Sequence, residues 1–141
     1  PIIIILVAML PLGEAVGTTG AAAAIATAVT GYLPLSMAPL AVFVLLAIAM
    51  AITPFVNNAT TVVILAPIAV EIASATQLSP QMLVMAVAVG ASCDFLTPFG
   101  HHNNMLAYSL GHYRFRDVLK LGWPVSLAAF LTAGTVLLLY W

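Results

Sequence analysis

Apolar residues run through this chain in long blocks, without the two-residue alternation of a half-buried strand. Residues 1–17 read as the end of a membrane-spanning helix that closes at Gly17-Thr18-Thr19-Gly20. Residues 21–30 form a short Ala-rich helix, stopped by Gly31 and Pro34 and too short to span. Two apolar arms follow, Pro39–Thr53 and Val62–Ala75, separated by Pro54 and a cluster of polar side chains: Thr53, Asn57, Asn58, Thr60 and Thr61. Arms of about 14–15 residues reach roughly 21 Å at 1.5 Å per residue, short of the ~30 Å hydrocarbon core. The pattern therefore predicts a re-entrant helical hairpin over 39–76 with its tip at 55–61. Residues 81–110 read as a broken helix, unwound over 95–104 around Pro98 and Gly100. Residues 123–141 read as a clean final span with aromatic ends.

Composition turns this into a class. Of 141 residues, 64% are hydrophobic, and three Lys or Arg plus four Asp or Glu are the only formal charges apart from His. Soluble domains carry about 25% charged residues. The uncharged stretches 15–70, 72–93, 95–113 and 121–141 are each about as long as a crossing helix or longer. The fold class is an all-α membrane protein. This scarcity and spacing of charge exclude soluble, disordered and collagenous classes, and Cys93, the only cysteine, cannot form an internal disulfide. A net charge of −1 speaks against nucleic acid as a partner. The chain starts at Pro1, already apolar and without a charged leader region, so it is expected to be a fragment of a longer polytopic protein.

Arg114, Arg116 and Lys120 are all the basic residues, and they cluster in 111–121. The positive-inside rule makes that loop cytoplasmic. The C-terminus is then outside, and the hairpin enters and leaves from the outer face. A multi-pass protein of the cell membrane, in contact with lipid, is expected.

Irregular backbone at membrane depth leaves N–H and C=O groups unpaired, and it survives only where it lines a buried or water-filled cavity. Two such breaks, both dense in Asn, Thr and Gly, call for a use. Broken helices offer carbonyls to a cation and free N–H groups to an anion, the pattern of secondary-transporter sites near the bilayer midplane.

The segments T-P-F-V-N-N-A-T-T-V-V-I-L-A-P-I (53–68), A-S-C-D-F-L-T-P-F-G-H-H-N-N (91–104) and G-H-Y-R-F-R-D-V-L-K-L-G-W-P (111–124) together resemble the divalent-anion/sodium symporter family. They are most similar to its dicarboxylate and sulfate permease branch. The resemblance implies the C-terminal one of two inverted repeats, with the N-terminal repeat missing from this chain, and a homodimer. It implies alternating-access transport of a small inorganic or carboxylate anion, with sodium as the coupling ion. The family's Ser-Asn-Thr tip falls on Asn57, Asn58 and Ala59, and its second contact, Thr-Pro, falls on His101 and His102. The implied substrate set is Asn57, Asn58, Ala59, Thr60, His101, His102 and Asn104. The implied sodium site comprises Thr53, the Val56 carbonyl, Asn58 and the Gly100 carbonyl.

Other readings stay open from the residues alone. His101 and His102 fit caps beside Gly100, contacts to an anion through a protonated imidazole, or, with Asp94, a zinc site. Asp94 is the acid placed deepest in apolar sequence, suited to carrying protons or to fixing neighbouring backbone. No H-E-x-x-H or G-x-S-x-G is present, so an intramembrane hydrolase, and an enzyme generally, is not expected. The rivals are a proton-coupled or arsenite-type carrier of the same superfamily, and a channel or structural subunit.

Overall fold

A computed structural model describes residues 11, 15, 18–31, 39–56, 58–98, 102–111 and 113–140; the side chains of 22, 29, 30, 102 and 103 are also outside the description. All of the expected helix over 1–17 except residues 11 and 15, which are helical, and the tip residue Asn57 therefore lie outside the described residues, as do Gly100 and His101. Six helices are described: α1 (Ala21–Gly31), α2 (Leu40–Val56), α3 (Asn58–Thr76), α4 (Pro80–Ser92), α5 (His102–Leu110) and α6 (Phe115–Tyr140). No strand occurs among the described residues.

The two arms are longer than the sequence pattern predicts. α2 runs through Pro54 and ends at Val56, and α3 begins at Asn58. Thr60 and Thr61 thus belong to the first turn of a helix and not to an irregular tip. Proline withdraws one helical donor, from the carbonyl four residues back, and here the helix continues across that single loss. The chain does fold back between the arms. A straight helix would place residues 53 and 61 about 12 Å apart along its axis, yet their Oγ1 atoms are 3.3 Å apart. The shortness argument for re-entrance falls away, however: α3, at 19 residues, is long and apolar enough to cross a membrane, as is α6 at 26.

α3 closes at Thr76, whose hydroxyl donates to Ile72 O at 2.7 Å. Gln77 then takes a left-handed conformation, φ 59°, the usual stop after a helix. Pro80 opens α4 at a position where its missing N–H costs nothing. So short a link between two packed helices makes them antiparallel neighbours. Left-handed backbone costs a non-glycine residue about 1 kcal/mol or more. Gln77→Gly is therefore expected to leave the unfolding temperature in detergent unchanged or raised; a lowered midpoint would show that the Gln77 side chain itself holds the turn.

The core is the contact of α2, α3 and α4, with α1 laid on α3. Its inward faces are rich in small residues: Ala41 and Ala49 on α2, Ala69 and Ala73 on α3, Ala86 and Gly90 on α4, all nearly inaccessible. Small residues let helices approach closely, the main source of helix association where lipid is as apolar as leucine. A Cβ on Gly90 would lie 2.7 Å from Ala49 Cβ and 2.8 Å from Leu46 O.

α6 begins eight residues earlier than the expected span, so the basic segment 111–121 is a loop only up to Arg114. The cause is a cap. Asp117, in the first turn, accepts a hydrogen bond from the Arg114 N–H at 3.0 Å, the reciprocal half of a capping box. α6 then packs on α2 and α4. The Phe43 ring rests against Gly134, where a Cβ would collide with it, and meets Phe130 at 5.4 Å between centroids.

Candidate functional site

Three threonines near the reversal point inward. Thr53, Thr60 and Thr61 are buried, Thr53 and Thr61 completely. The Thr53 hydroxyl donates to Ala49 O at 2.7 Å and lies 3.3 Å from Thr61 Oγ1, so its oxygen is pinned between two helices. Asn58 and Val56 are half-buried and Ala59 is exposed. Phe55, beside Pro54, is 87% exposed. Asn58 opens α3, where the first N–H groups have no partner within the helix. Thr61, absent from the residue set that the family resemblance implies, is the residue that meets Thr53. The signal for it was the N-A-T-T run itself, since a second threonine three residues past Asn58 sits one helical turn inside.

The second break starts at Cys93, two residues earlier than expected, and α5 resumes at His102. The Cys93 N–H donates to Gly90 O at 3.1 Å, ending α4 in a tight turn. Asp94 is 3% exposed and Pro98 fully buried. The Thr97 hydroxyl lies 3.2 and 3.4 Å from the two carboxylate oxygens of Asp94. Asn104 sends its amide nitrogen back across the break to Asp94 O at 3.0 Å, with Thr97 O at 3.5 Å. Its donor group thus faces the protein's own backbone. His102 begins α5.

Packing brings the two breaks to the same end of the bundle. α3 folds back on α2, and α4 folds back on α3, so α2 and α4 run parallel. Gly90 then lies level with Ala49, and each break lies about one turn beyond. α6 runs the other way and closes the side: the space for a Cβ on Gly122 is taken by the Phe95 carbonyl. Leu96 of the break shares a cleft of about 250 Å³ with Met50, Ala51, Ser126 and Phe130. Met50 is also the residue whose carbonyl loses its helical donor to Pro54. No cluster of three or more His, Cys, Asp or Glu able to hold a metal occurs among the described residues. The elements that gather here are helix ends bearing the hydroxyls of Thr53, Thr60, Thr61 and Thr97 and the amides of Asn58 and Asn104.

A model of the citrate transporter family, CitMHS, matches residues 1–141. The chain belongs to that family. It is a family of membrane transporters and not of enzymes, in keeping with the divalent-anion/sodium symporter resemblance of the motifs. The chain is similar to the uncharacterized transporter YfbS of Escherichia coli K12, with 37% identity over 133 residues, 90% of this chain and 21% of the relative. It is also similar to sodium/sulfate cotransporter 2 of Chlamydomonas reinhardtii, at 32% over 74 residues, 52% of this chain and 8% of that one. A third relative is the Na(+)/dicarboxylate cotransporter 3 of Mus musculus, at 30% over 100 residues, 70% of this chain and 17% of that one. The chain spans only about a fifth of the length of the first relatives it matches, 22% and 21%.

Proposed function

We propose that this chain is part of a secondary transporter that moves a small divalent anion, a di- or tricarboxylate or sulfate, coupled to sodium by alternating access. The observation that carries the proposal is the gathering of two broken, oxygen-rich helix ends at one end of the bundle, in a chain of this family. Sodium would be held by Thr53, the Val56 carbonyl, Asn58 and the Gly100 carbonyl. The anion would be held by the amide and hydroxyl groups of Asn57, Asn58 and Thr60 with His101 and His102, beside Ala59, while Asn104, its amide nitrogen turned to the Asp94 carbonyl, stands next to them. Sodium bound first lowers the cost of bringing a doubly negative solute to the same place, which is positive linkage between the two ligands. The hairpin is proposed as re-entrant from the outer face, the basic segment as cytoplasmic, and the whole protein as a homodimer with a matching inverted N-terminal repeat.

Names of relatives support the cargo class: one is called a sodium/sulfate and another a Na(+)/dicarboxylate cotransporter. Proton coupling is the rival that buried Asp94 favours. The test is radiotracer uptake of succinate, citrate and sulfate by the full-length protein in vesicles, with sodium replaced by potassium. Saturable uptake of one of them that vanishes in potassium is the expected result. Uptake indifferent to sodium but driven by an acid outside would overturn the sodium assignment, and non-saturating flux would point to a channel.

A further inference from the structure

Asp94 is a buried acid in a non-helical stretch, and its surroundings say what it is for. Its carboxylate faces the Thr97 hydroxyl at 3.2 and 3.4 Å. Its own carbonyl receives the Asn104 amide at 3.0 Å, a contact that closes ten residues of chain. One residue further, the Phe95 carbonyl abuts Gly122 of α6 at a distance only glycine allows. We propose that Asp94, Thr97 and Asn104 form a polar latch that sets the shape of the second break, so that Asp94 is a positioning residue for the anion site and not itself a ligand or proton carrier.

A stretch that leaves the helix ladder at this depth exposes carbonyls and N–H groups that lipid cannot satisfy. The Asn104 amide supplies a replacement, donating to the Asp94 carbonyl with the Thr97 carbonyl nearby, while the Thr97 hydroxyl and the Asp94 carboxylate hold each other. Together they tie the stretch after α4 to the third residue of α5. At 3% exposure Asp94 is closed to solvent. The residues between Pro98 and His102, which hold the implied ligands Gly100 and His101, are bracketed in sequence by the latch. Local side-chain-to-backbone bonds of this kind give irregular backbone a defined form. Asn104, assigned to substrate by family resemblance, is thereby given a bracing role through its amide nitrogen.

The proposal rests on the transport reading for where its effect on uptake is seen, but the latch can be read without transport. In the full-length protein, Asp94→Asn keeps an acceptor for Thr97, whereas Asp94→Ala does not. Asp94→Ala is expected to raise the KM for the anion about tenfold with kcat changed far less, as loss of one buried hydrogen-bonded group implies. Asp94→Asn is expected to stay within about threefold of the parent. Thr97→Val combined with Asp94→Ala should be no worse than Asp94→Ala alone, the signature of a shared interaction. Amide hydrogen exchange over 94–104 should quicken in Asp94→Ala and in Asn104→Ala but not in Asp94→Asn. If Asp94→Ala yields no folded protein, Thr97→Val and Asn104→Ala carry the same comparison. Asp94→Asn as impaired as Asp94→Ala would show that the charge matters and overturn the latch, as would unchanged exchange in every variant. A parent protein without sodium-dependent anion uptake would sink the transport reading and leave the exchange result to decide the latch.

Discussion

Gly122→Val is expected to abolish folded protein, or at least to cut stability by about 3 kcal/mol, the upper end of what overpacking a tight contact costs. The position is unforgiving because of what the new carbon meets. A Cβ on residue 122 falls on the Phe95 carbonyl oxygen and close to its carbon, and backbone cannot swing aside as the end of a long side chain can. Nor can α6 simply back away. Twelve residues on, Gly134 carries the Phe43 ring with Phe130 beside it, so lifting one end of the contact strains the other. The measurement is thermal unfolding of the detergent-purified full-length protein, with Leu121→Val as control, since Leu121 is 67% exposed. A Gly122→Val protein that melts with the parent would mean that the break does not press on α6.

Asn58→Ala is expected to lower sodium-dependent anion uptake about a hundredfold while expression and melting temperature hold. Asn58 is half-buried at the first position of α3, so losing its amide leaves no large cavity and should cost little stability. In the proposed site the same amide serves both ligands, and hydrogen bonds to charged groups are worth about 1.5–3 kcal/mol each. Two such losses amount to roughly a hundredfold or more. Asn58→Asp sharpens the test. A carboxylate keeps an oxygen for sodium but repels an anion, so sodium binding should survive where anion binding fails. Uptake unchanged in Asn58→Ala would remove this residue from the site.

What the sequence disclosed, and what it hid, follows from the range of each interaction. Composition and the spacing of charges showed an all-helical membrane protein, because lipid penalises charge wherever it falls and requires every backbone N–H and C=O to be paired internally. The Ala-rich helix at 21–30 emerged within one residue of its described end, Gly31. Proline misled the reading at one place: Pro54 suggested a helix end, yet it lies inside α2, as membrane helices tolerate when neighbours satisfy the freed carbonyl. The start of α6 at Phe115 was missed because one aspartate, Asp117, caps a helix that begins among the basic residues. At the site, the polar clusters on both breaks stood out, since polarity amid apolar sequence is a local signal. The pairing of Thr53 with Thr61 and the reach of Asn104 to Asp94 did not, because each depends on a chain reversal that no short pattern encodes.

The last helix bears on how this segment can be handled. Leu121, Trp123, Leu131, Leu139 and Tyr140 point away from the bundle, and Met105, Leu106 and Leu110 do the same on α5. An oily rind of that extent has no counterpart to cover it within the described residues. Placed in buffer by itself, this segment would clump through that rind, and any multimer recovered that way would report on stickiness rather than on how the full-length protein assembles.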